Sequence, residues 1–408
     1  EERIKILSDI VSIKTVNSNE LEVAQYLEKL FNRYGIRSHI DTVTDGRANL
    51  IATVGSSQPV IGISGHMDVV SEGNHDHWTY DPFTLTEDQG YLYGRGAADM
   101  KSGLAALAIA LIEIKESGKL TQGTIKFMAT VGEEMEQSGS QQLFEKGYAD
   151  DLDALLIAEP SFPSLVYAHK GSMDFRIKSK GRASHSSLPF LGQNAIKPLL
   201  EFIQNINQEY EKITQSVKGE SLDFSNMINN LGSQLPNHIT KEKAQELIQG
   251  LVMTNSIVQG GTQVNSVPDF ATAEFNVRTI PEYNNNKVKA LFNEYIEQAN
   301  QNGASLTQEL YLDLEPVVTT GQNRLVELGF DIAKSHFSNE RDLIVTPTVA
   351  VTDASNLLKG KDENFPFLMF GPGNGPHQIN ECVEKANYLE FVEYYIEFIT
   401  SYLNEENE

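Results

Sequence analysis

The sequence predicts an α/β domain with a mixed, mostly parallel sheet, interrupted by an inserted α+β domain with an antiparallel sheet. Three observations lead to this prediction. The chain has 408 residues, which is too long for one ordinary core. In the first third, apolar runs and helical stripes alternate, as they do where helices cover a parallel sheet. In the middle, apolar and polar residues alternate along the strands, which is typical of an antiparallel sheet with one solvated face.

The first part of the chain supplies most of the parallel sheet. An apolar helical stripe lies within 20–34, and a helix rich in Ala and Leu is predicted at 103–114. Apolar runs of strand length occur on both sides of this second helix, at 50–54, 60–64, 124–131 and 155–158. Near the end of the chain we expect two further buried strands and a closing amphipathic helix, at 343–351, 367–370 and 388–403.

The inserted domain begins near Gly171, where Met173, Phe175 and Ile177 alternate with polar neighbours. Further strands and helices are predicted at 194–220, 252–259, 271–278, 286–302 and 306–312. With the second seam near Glu315, residues 1–170 and 316–408 form one domain and residues 171–315 form the other. The segment 208–250 is an elaboration that these patterns do not assign.

Charge and composition disfavour several classes of function. The formal net charge is −24, so nucleic acid and anionic membranes are poor partners, because phosphate repulsion acts across the whole surface. No apolar run approaches the roughly 18 residues that a membrane helix requires. The single cysteine, Cys382, cannot form an internal disulfide, which favours a reducing, cytoplasmic compartment. A local basic cleft remains compatible with an anionic small substrate.

Acidic and histidine residues follow the predicted strands directly. They are His66 and Asp68 after the run 60–64, Asp99 in a glycine-rich segment, Glu133 and Glu134 after 124–131, Glu159 after 155–158 and, far along the chain, His377. Ligands of open α/β sheets collect at the carboxyl ends of strands, so we expect these side chains to converge. Alone, such a histidine is more often structural and a Glu pair is more often solvated. Together, the carboxylates would repel one another without a cation, and the donor set suits zinc, cobalt or manganese.

Two local patterns refine the metal-site prediction. Asp68 lies two residues after His66, so in an extended chain both side chains lie on the same face. The Asp68 carboxylate is therefore expected to accept the second ring N–H of His66. Glu133 and Glu134 are adjacent and cannot serve identically, so one is expected to bind metal while the other acts as a general base.

These residues lie in motifs that resemble a family of dinuclear zinc metallopeptidases. The family includes acetylornithine deacetylase, succinyl-diaminopimelate desuccinylase, aminoacylase and the glutamate-releasing carboxypeptidases. The matching motifs follow the family's order along nearly the whole chain: SGHMDVV at 64–70, GRGAADMK at 94–101, GEE at 132–134, AEP at 158–160, GRASHSS at 181–187 and PHQ at 376–378. The resemblance implies a catalytic zinc-hydrolase domain with an inserted lid.

The resemblance also implies a role for each metal-site residue. One zinc ion would be bound by His66, Asp99 and Glu159, and the other by Asp99, Glu134 and His377, with Asp99 bridging. Cobalt or manganese could replace zinc.

In the same comparison, Glu133 would deprotonate the attacking water and pass the proton to the leaving amine. Asp68 would orient His66. The peptide bond between Asp99 and Met100 is expected to be cis, as it often is in relatives.

In the family, the inserted lid also forms the dimer interface. The histidine that matches His185 reaches the active site of the partner subunit and steadies the oxyanion, so a homodimer through the lid is expected. Arg278 and Asn265 match positions that grip the substrate carboxylate, a task that suits the bidentate guanidinium of arginine. Lys170 and Ser172 match another stretch that contacts substrate.

The expected activity is hydrolysis of a linear amide in a small N-acyl amino acid. The pattern GPHQINEC at 375–382 is similar to the desuccinylase branch of the family, so N-succinyl-L,L-diaminopimelate, an intermediate of lysine and diaminopimelate biosynthesis, is the leading substrate. Desuccinylating relatives carry two consecutive arginines where this chain has AHKG at 168–171, which leaves an acetylornithine deacetylase-like N-deacylase or a dipeptidase open.

Two different classes of function are disfavoured. A non-catalytic binding relative would lack a ligand or the base, and neither is missing. A metal-free serine hydrolase would require a Gly-x-Ser-x-Gly elbow with a suitable histidine, and the sequence has no such combination.

Overall fold

The computed structural model describes residues 1–337 and 342–405. Within this part, helices α1 to α11 are Glu2–Ser12, Glu20–Arg33, Lys101–Ser117, Ser138–Glu145, Ile196–Ser216, Ser225–Leu231, Lys241–Gln249, Asn285–Gln301, Arg324–Phe337, Ala354–Leu357 and Lys385–Asn404. Strands β1 to β15 are Arg37–Thr44, Arg47–Gly55, Val60–His66, Thr86–Asp88, Tyr91–Tyr93, Thr124–Thr130, Ala154–Ile157, Ser164–His169, Ser172–Lys180, Val252–Gly260, Phe270–Arg278, Leu306–Leu314, Ile344–Thr348, Phe367–Met369 and Cys382–Glu384. Among the described residues, no helix combines the length and apolar character needed to cross a bilayer.

The chain divides into two compact units. The first contains Glu1–Ala168 and the described residues of Thr319–Thr346 and Thr352–Glu408, and the second contains His169–Val318 and Pro347–Val351. The sequence predicts residues 169–170, 316–318 and 347–351 in the first domain. In the structure they group with the second unit, where the main-chain oxygen of Thr348 accepts the N–H of Lys170.

The first unit is built on a mixed sheet. In the described part of the chain its strand order is β1-β2-β6-β3-β7-β14-β8-β13. The central pairs β6–β3, β3–β7 and β7–β14 are parallel, whereas β1–β2, β2–β6 and β14–β8 are antiparallel. Every residue of β3 and β7 is buried, as expected for apolar central strands. The predicted mixed sheet is confirmed, with its parallel pairs at the centre.

Helix α3 lies in the core of the first unit and packs against α1, α11 and β3. Its Ala- and Leu-rich sequence is buried on nearly every side. Gly103 permits a close approach to the segment after β7, because a Cβ at this position would lie 2.1 Å from the main-chain oxygen of Ala158. This close approach brings the start of α3 beside Glu159, the residue after Ala158.

The second unit contains an antiparallel sheet with the order β10-β11-β9-β12. Met173, Phe175 and Ile177 are buried whereas Asp174, Arg176 and Lys178 are not, which confirms the predicted alternation. Helices α5 and α8 cover the apolar face, and the ring of Phe292 stacks on Phe175 with centroids 4.0 Å apart. The segment 208–250, which the sequence leaves unassigned, contains the end of α5 followed by α6 and α7.

Candidate metal centre

Four of the predicted site residues lie at the carboxyl ends of central strands. His66 is the last residue of β3, Glu133 and Glu134 follow β6, and Glu159 follows β7. Since these three strands are parallel neighbours, their carboxyl ends meet at one edge of the sheet.

Two further residues reach this edge from elsewhere in the chain. Asp99 lies just before α3, and its peptide bond with Met100 is cis, as predicted. His377 lies in the loop between β14 and β15 and has a left-handed backbone, with φ of 65°.

The donor atoms form two overlapping triads. His66, Asp99 and Glu159 make one, and Asp99, Glu134 and His377 make the other, with the ligand atoms of each triad within 4.8 Å of one another; a third group within the same distance, His66, Glu133 and Glu134, overlaps both. Asp99 belongs to both, because its Oδ1 lies 2.9 Å from His66 Nε2 and its Oδ2 lies 3.1 Å from His377 Nε2. The structure thus brings all five predicted ligands together, with Asp99 between the two groups.

Glu133 faces the same cluster but is oriented differently from its neighbour. Its Oε2 lies 3.5 Å from His66 Nε2, and only 8% of its side chain is exposed. Glu134 points instead at His377, with its Oε1 2.9 Å from Nε2. The adjacent glutamates therefore occupy separate positions, as the sequence predicts.

Burial and crowding perturb the titration of this cluster. Burial, opposed by His66 and reinforced by Asp99, raises the pKa of Glu159 to about 8. Burial also raises the pKa of Glu134 to about 7, although its hydrogen bond with His377 acts in the opposite direction. Hydrogen bonds to Asp99 and Glu134 raise the pKa of His377 to about 10. The cluster therefore retains protons that a bound cation would displace. Its imidazole and carboxylate donors are ligands that fit zinc.

Asp68 is buried behind His66, but its contacts differ from the prediction. His66 Nδ1 lies 2.9 Å from the main-chain oxygen of Asp68 and 3.4 Å from the carboxylate Oδ1. The carboxylate accepts the main-chain N–H groups of Glu133 and Glu134 at 3.1 and 3.0 Å. Asp68 therefore orients His66 chiefly through its carbonyl, while its carboxylate holds the segment that carries both glutamates.

The structure also reveals a buried ion pair beside the centre that the sequence reasoning missed. Arg95 pairs with Glu381, whose carboxylate also accepts the main-chain N–H groups of Ala98 and Asp99. One signal was present in the sequence, because both charged residues lie close to motifs that carry predicted ligands.

The remaining predicted residues lie in the second unit, in two groups. In the first group, His185 is exposed and its Nδ1 lies 2.7 Å from Ser187 Oγ. The main-chain oxygen of Asn265 accepts the N–H of Ser186 at 3.0 Å, and His185 forms an isolated bridge with Ser266. His185 and Asn265 therefore share one cluster of loops.

The second group contains Lys170 and Arg278. Lys170 is buried, and its Nζ donates to the main-chain oxygen of Gly250 at 2.6 Å. Burial, together with the nearby charge of Arg278, lowers the pKa of Lys170 to about 8. Burial also lowers the pKa of Arg278, and the neighbouring carboxylate of Asp174 opposes this effect.

Ser172 lies close to this cationic pair. Its Oγ is 3.4 Å from Nδ2 of Asn276, whose Oδ1 accepts the Nε–H of Arg278 at 3.2 Å. Lys170, Ser172 and Arg278 are therefore neighbours at one end of the antiparallel sheet.

Comparison with known proteins gives a consistent family assignment. The model of peptidase family M20/M25/M40 matches residues 62–401. A Staphylococcus aureus protein named probable succinyl-diaminopimelate desuccinylase is 44% identical over 407 residues, covering 99% of this chain and 98% of that protein. A Wolbachia pipientis protein named succinyl-diaminopimelate desuccinylase is 26% identical over 416 residues, covering 99% of this chain and 94% of that protein.

Solved structures share the fold. The M20 family metallo-carboxypeptidase Sso-CP2 from Sulfolobus solfataricus aligns with a TM-score of 0.82 at 19% identity, covering 98% of this chain and 99% of that chain. The YXEP protein of Bacillus subtilis, described as a dinuclear metal binding peptidase, aligns with a TM-score of 0.65 at 16% identity, covering 99% and 98%.

Replacing Asp68 by Asn tests the contacts of its carboxylate. We expect Asp68→Asn to weaken zinc binding about 10- to 100-fold, because an amide presents one oxygen and one NH2 group to two N–H donors. Competition with a chelating dye measures the affinity of the metal-free protein. Asp76→Asn, an exposed change in the following loop, is the control. Wild-type zinc affinity in Asp68→Asn would contradict this role.

Proposed function

The chain belongs to the peptidase family M20/M25/M40, and from this premise we propose that it hydrolyses N-succinyl-L,L-diaminopimelate to succinate and L,L-diaminopimelate. The observation that carries the proposal is the double donor triad beside Glu133, in a chain 44% identical over its length to proteins named probable succinyl-diaminopimelate desuccinylase. The reaction is the cleavage of a linear amide, and the chain is a hydrolase of that class.

The proposed cofactor is a pair of zinc ions, which cobalt or manganese could replace. His66, Asp99 and Glu159 would hold one ion, and Asp99, Glu134 and His377 the other. When bound, the ions would polarise the scissile carbonyl and lower the pKa of the attacking water.

Glu133 is the proposed general base. Its carboxylate is buried at the edge of the donor cluster, and Glu134 beside it is already turned toward His377. These two positions support the proposal that Glu133 would take a proton from the attacking water and return it to the leaving amine.

Arg278 and Lys170 are the proposed partners of the substrate's carboxylates, with Ser172 and Asn265 as polar contacts. Two buried cations that lie near each other repel, and Asp174 is the carboxylate that acts on Arg278. A bound carboxylate would offset this repulsion and satisfy the guanidinium. The arrangement thus favours a substrate with several carboxylates over one with a neutral acyl group.

The proposed assembly is a homodimer formed through the second unit. Strand β10 is an edge of its sheet and exposes Ile257 and Val258, and the 188–191 loop exposes 75% of Phe190. An open edge that carries apolar side chains favours association with a second chain. We also propose a cytoplasmic location, which the single cysteine favours.

Turnover of N-succinyl-L,L-diaminopimelate with added zinc tests the reaction and the base together. We expect rapid release of succinate by the wild type and a fall in kcat of about 10²- to 10⁴-fold in Glu133→Gln, with both metal ions still bound, since general acid–base catalysis contributes effects of this size. Glu136→Gln, an exposed change in the same loop, is the matched control.

The alternatives give different outcomes in this assay. A wild type that binds two metal ions but leaves the substrate intact points to acetylated amino acids or dipeptides, which belong in the same assay panel. A wild type that binds no metal contradicts the metal-centre proposal itself.

Arg278→Gln tests the carboxylate contact. We expect kcat/KM to fall about 10- to 100-fold, because a charge-assisted hydrogen bond to the substrate is lost. Arg176→Gln is the control, since Arg176 lies on the same sheet but is partly exposed and paired with Glu274. Unchanged kinetics in Arg278→Gln would show that the substrate carboxylate binds elsewhere.

Mixing two inactive variants tests the proposed dimer. If His185 serves the partner's active site, His185→Gln and Glu133→Gln are each impaired, and a mixture of the two regains partial activity, because mixed dimers contain one complete site. Light scattering measures the oligomeric state in parallel. A fully active monomer would rule out the role of His185 across the interface.

A further inference from the structure

A buried ion pair joins two segments of the metal centre. Arg95 Nη1 lies 2.9 Å from Glu381 Oε1, and both side chains are buried. Arg95 precedes Asp99 in one motif, and Glu381 follows His377 in another. The pair therefore links the segment that carries Asp99 to the loop that carries His377.

The second oxygen of Glu381 acts on the main chain around Asp99. Glu381 Oε2 accepts the N–H of Ala98 at 3.0 Å and the N–H of Asp99 at 3.2 Å. One buried carboxylate thus fixes the peptide groups on which the Asp99 side chain is mounted. Neither oxygen of Glu381 is among the donor atoms of the two triads.

Arg95 extends the connection to two other segments. Its Nη1 also donates to the main-chain oxygen of Gln378, directly after His377, and its Nη2 donates to the main-chain oxygen of Ser71, each at 2.9 Å. The guanidinium lies over the ring of Trp78, 5.0 Å from the centroid. The guanidinium of Arg95 is therefore held by the chain on several sides.

The two triads depend on this ion pair unequally. His66 and Glu159 stand at the ends of buried strands and are positioned by the sheet. The His377 side chain is 48% exposed, and its loop contains glycines with left-handed backbones at Gly373 and Gly375. Past His377, the loop is fixed to the core by the contacts of Gln378 and Glu381 with Arg95.

We propose that Glu381 is a positioning residue that sets the placement of His377 relative to Asp99, and thereby the affinity of the triad Asp99, Glu134 and His377 for its metal ion. The triad of His66, Asp99 and Glu159 depends on it far less. The inference rests on the proposed function in one respect, which is that both triads bind metal ions. Partners behind metal ligands typically contribute about 10- to 100-fold to metal affinity.

Titration of the metal-free protein with Co²⁺ tests this inference, because the visible absorption of Co²⁺ reports each equivalent as it binds. In Glu381→Gln, the second equivalent is expected to bind about 10- to 100-fold more weakly than in the wild type, since an NH2 group replaces one accepting oxygen. The first equivalent is expected to weaken much less, because the sheet still positions His66 and Glu159. Glu384→Gln is the matched control. It removes the same charge from an exposed position in the short strand that follows Glu381, so both equivalents are expected to bind as in the wild type.

A second variant is needed because Glu381→Gln leaves the buried Arg95 without its anionic partner, which could unfold the protein. Glu381→Asp keeps the charge but withdraws the carboxylate from the N–H groups of Ala98 and Asp99, and we expect it to weaken the second equivalent as well. Thermal unfolding with and without Co²⁺ separates intrinsic stability from stabilisation by the metal.

Two results would overturn the proposal. One is a lower melting temperature of the metal-free variants with both Co²⁺ affinities unchanged, which would mean a purely structural role. The other is equal weakening of both equivalents, which would remove the distinction between the triads. If the wild type itself binds fewer than two ions, the proposed function fails rather than the role of Glu381, so the two failures are distinguishable.

Discussion

Repulsion among carboxylates crowded at one edge of a sheet is the constraint on which the first unit depends. Glu133 and Glu159 lie 3.5 and 3.3 Å from His66 Nε2, Glu134 lies 2.9 Å from His377 Nε2, and the three carboxylates are largely shielded from water. Such a cluster is tolerated only if its backbone cannot move apart and if positive charge is available. Parallel strands provide the rigid backbone, while protons on the imidazoles, or metal ions in their place, provide the charge.

The second unit presents the opposite imbalance. Burial and the nearby charge of Arg278 lower the pKa of Lys170, and burial lowers the pKa of Arg278, an effect that Asp174 opposes. Lys170 also has a structural role, because its ammonium group donates a hydrogen bond to the main-chain oxygen of Gly250, the last residue of the 208–250 segment. The side chain of Lys170 therefore connects the start of the second unit to this segment.

The sequence predicts most of what depends on local pattern. The apolar run before His66 identifies a buried strand, so the position of the histidine at its carboxyl end follows from the rules of parallel sheets. Contacts between distant segments lie beyond such reasoning. The carboxylate of Asp68 bonds to the N–H groups of Glu133 and Glu134 rather than chiefly to the ring two residues away. Strands β5 and β15 are likewise too short to show a recognisable alternation of apolar and polar residues. They form because they pair with each other.

The position of His377 beyond the inserted unit has a consequence for biosynthesis. The residues of one triad, His66, Asp99 and Glu159, all emerge from the ribosome before the second unit begins, whereas the other triad is completed only after the second unit has been made. Because chains are made from the amino end, the centre is assembled in two stages separated by the synthesis of an entire unit. A chain interrupted before the loop of His377, by stalled translation or by proteolysis, retains one complete donor triad and lacks the histidine of the other.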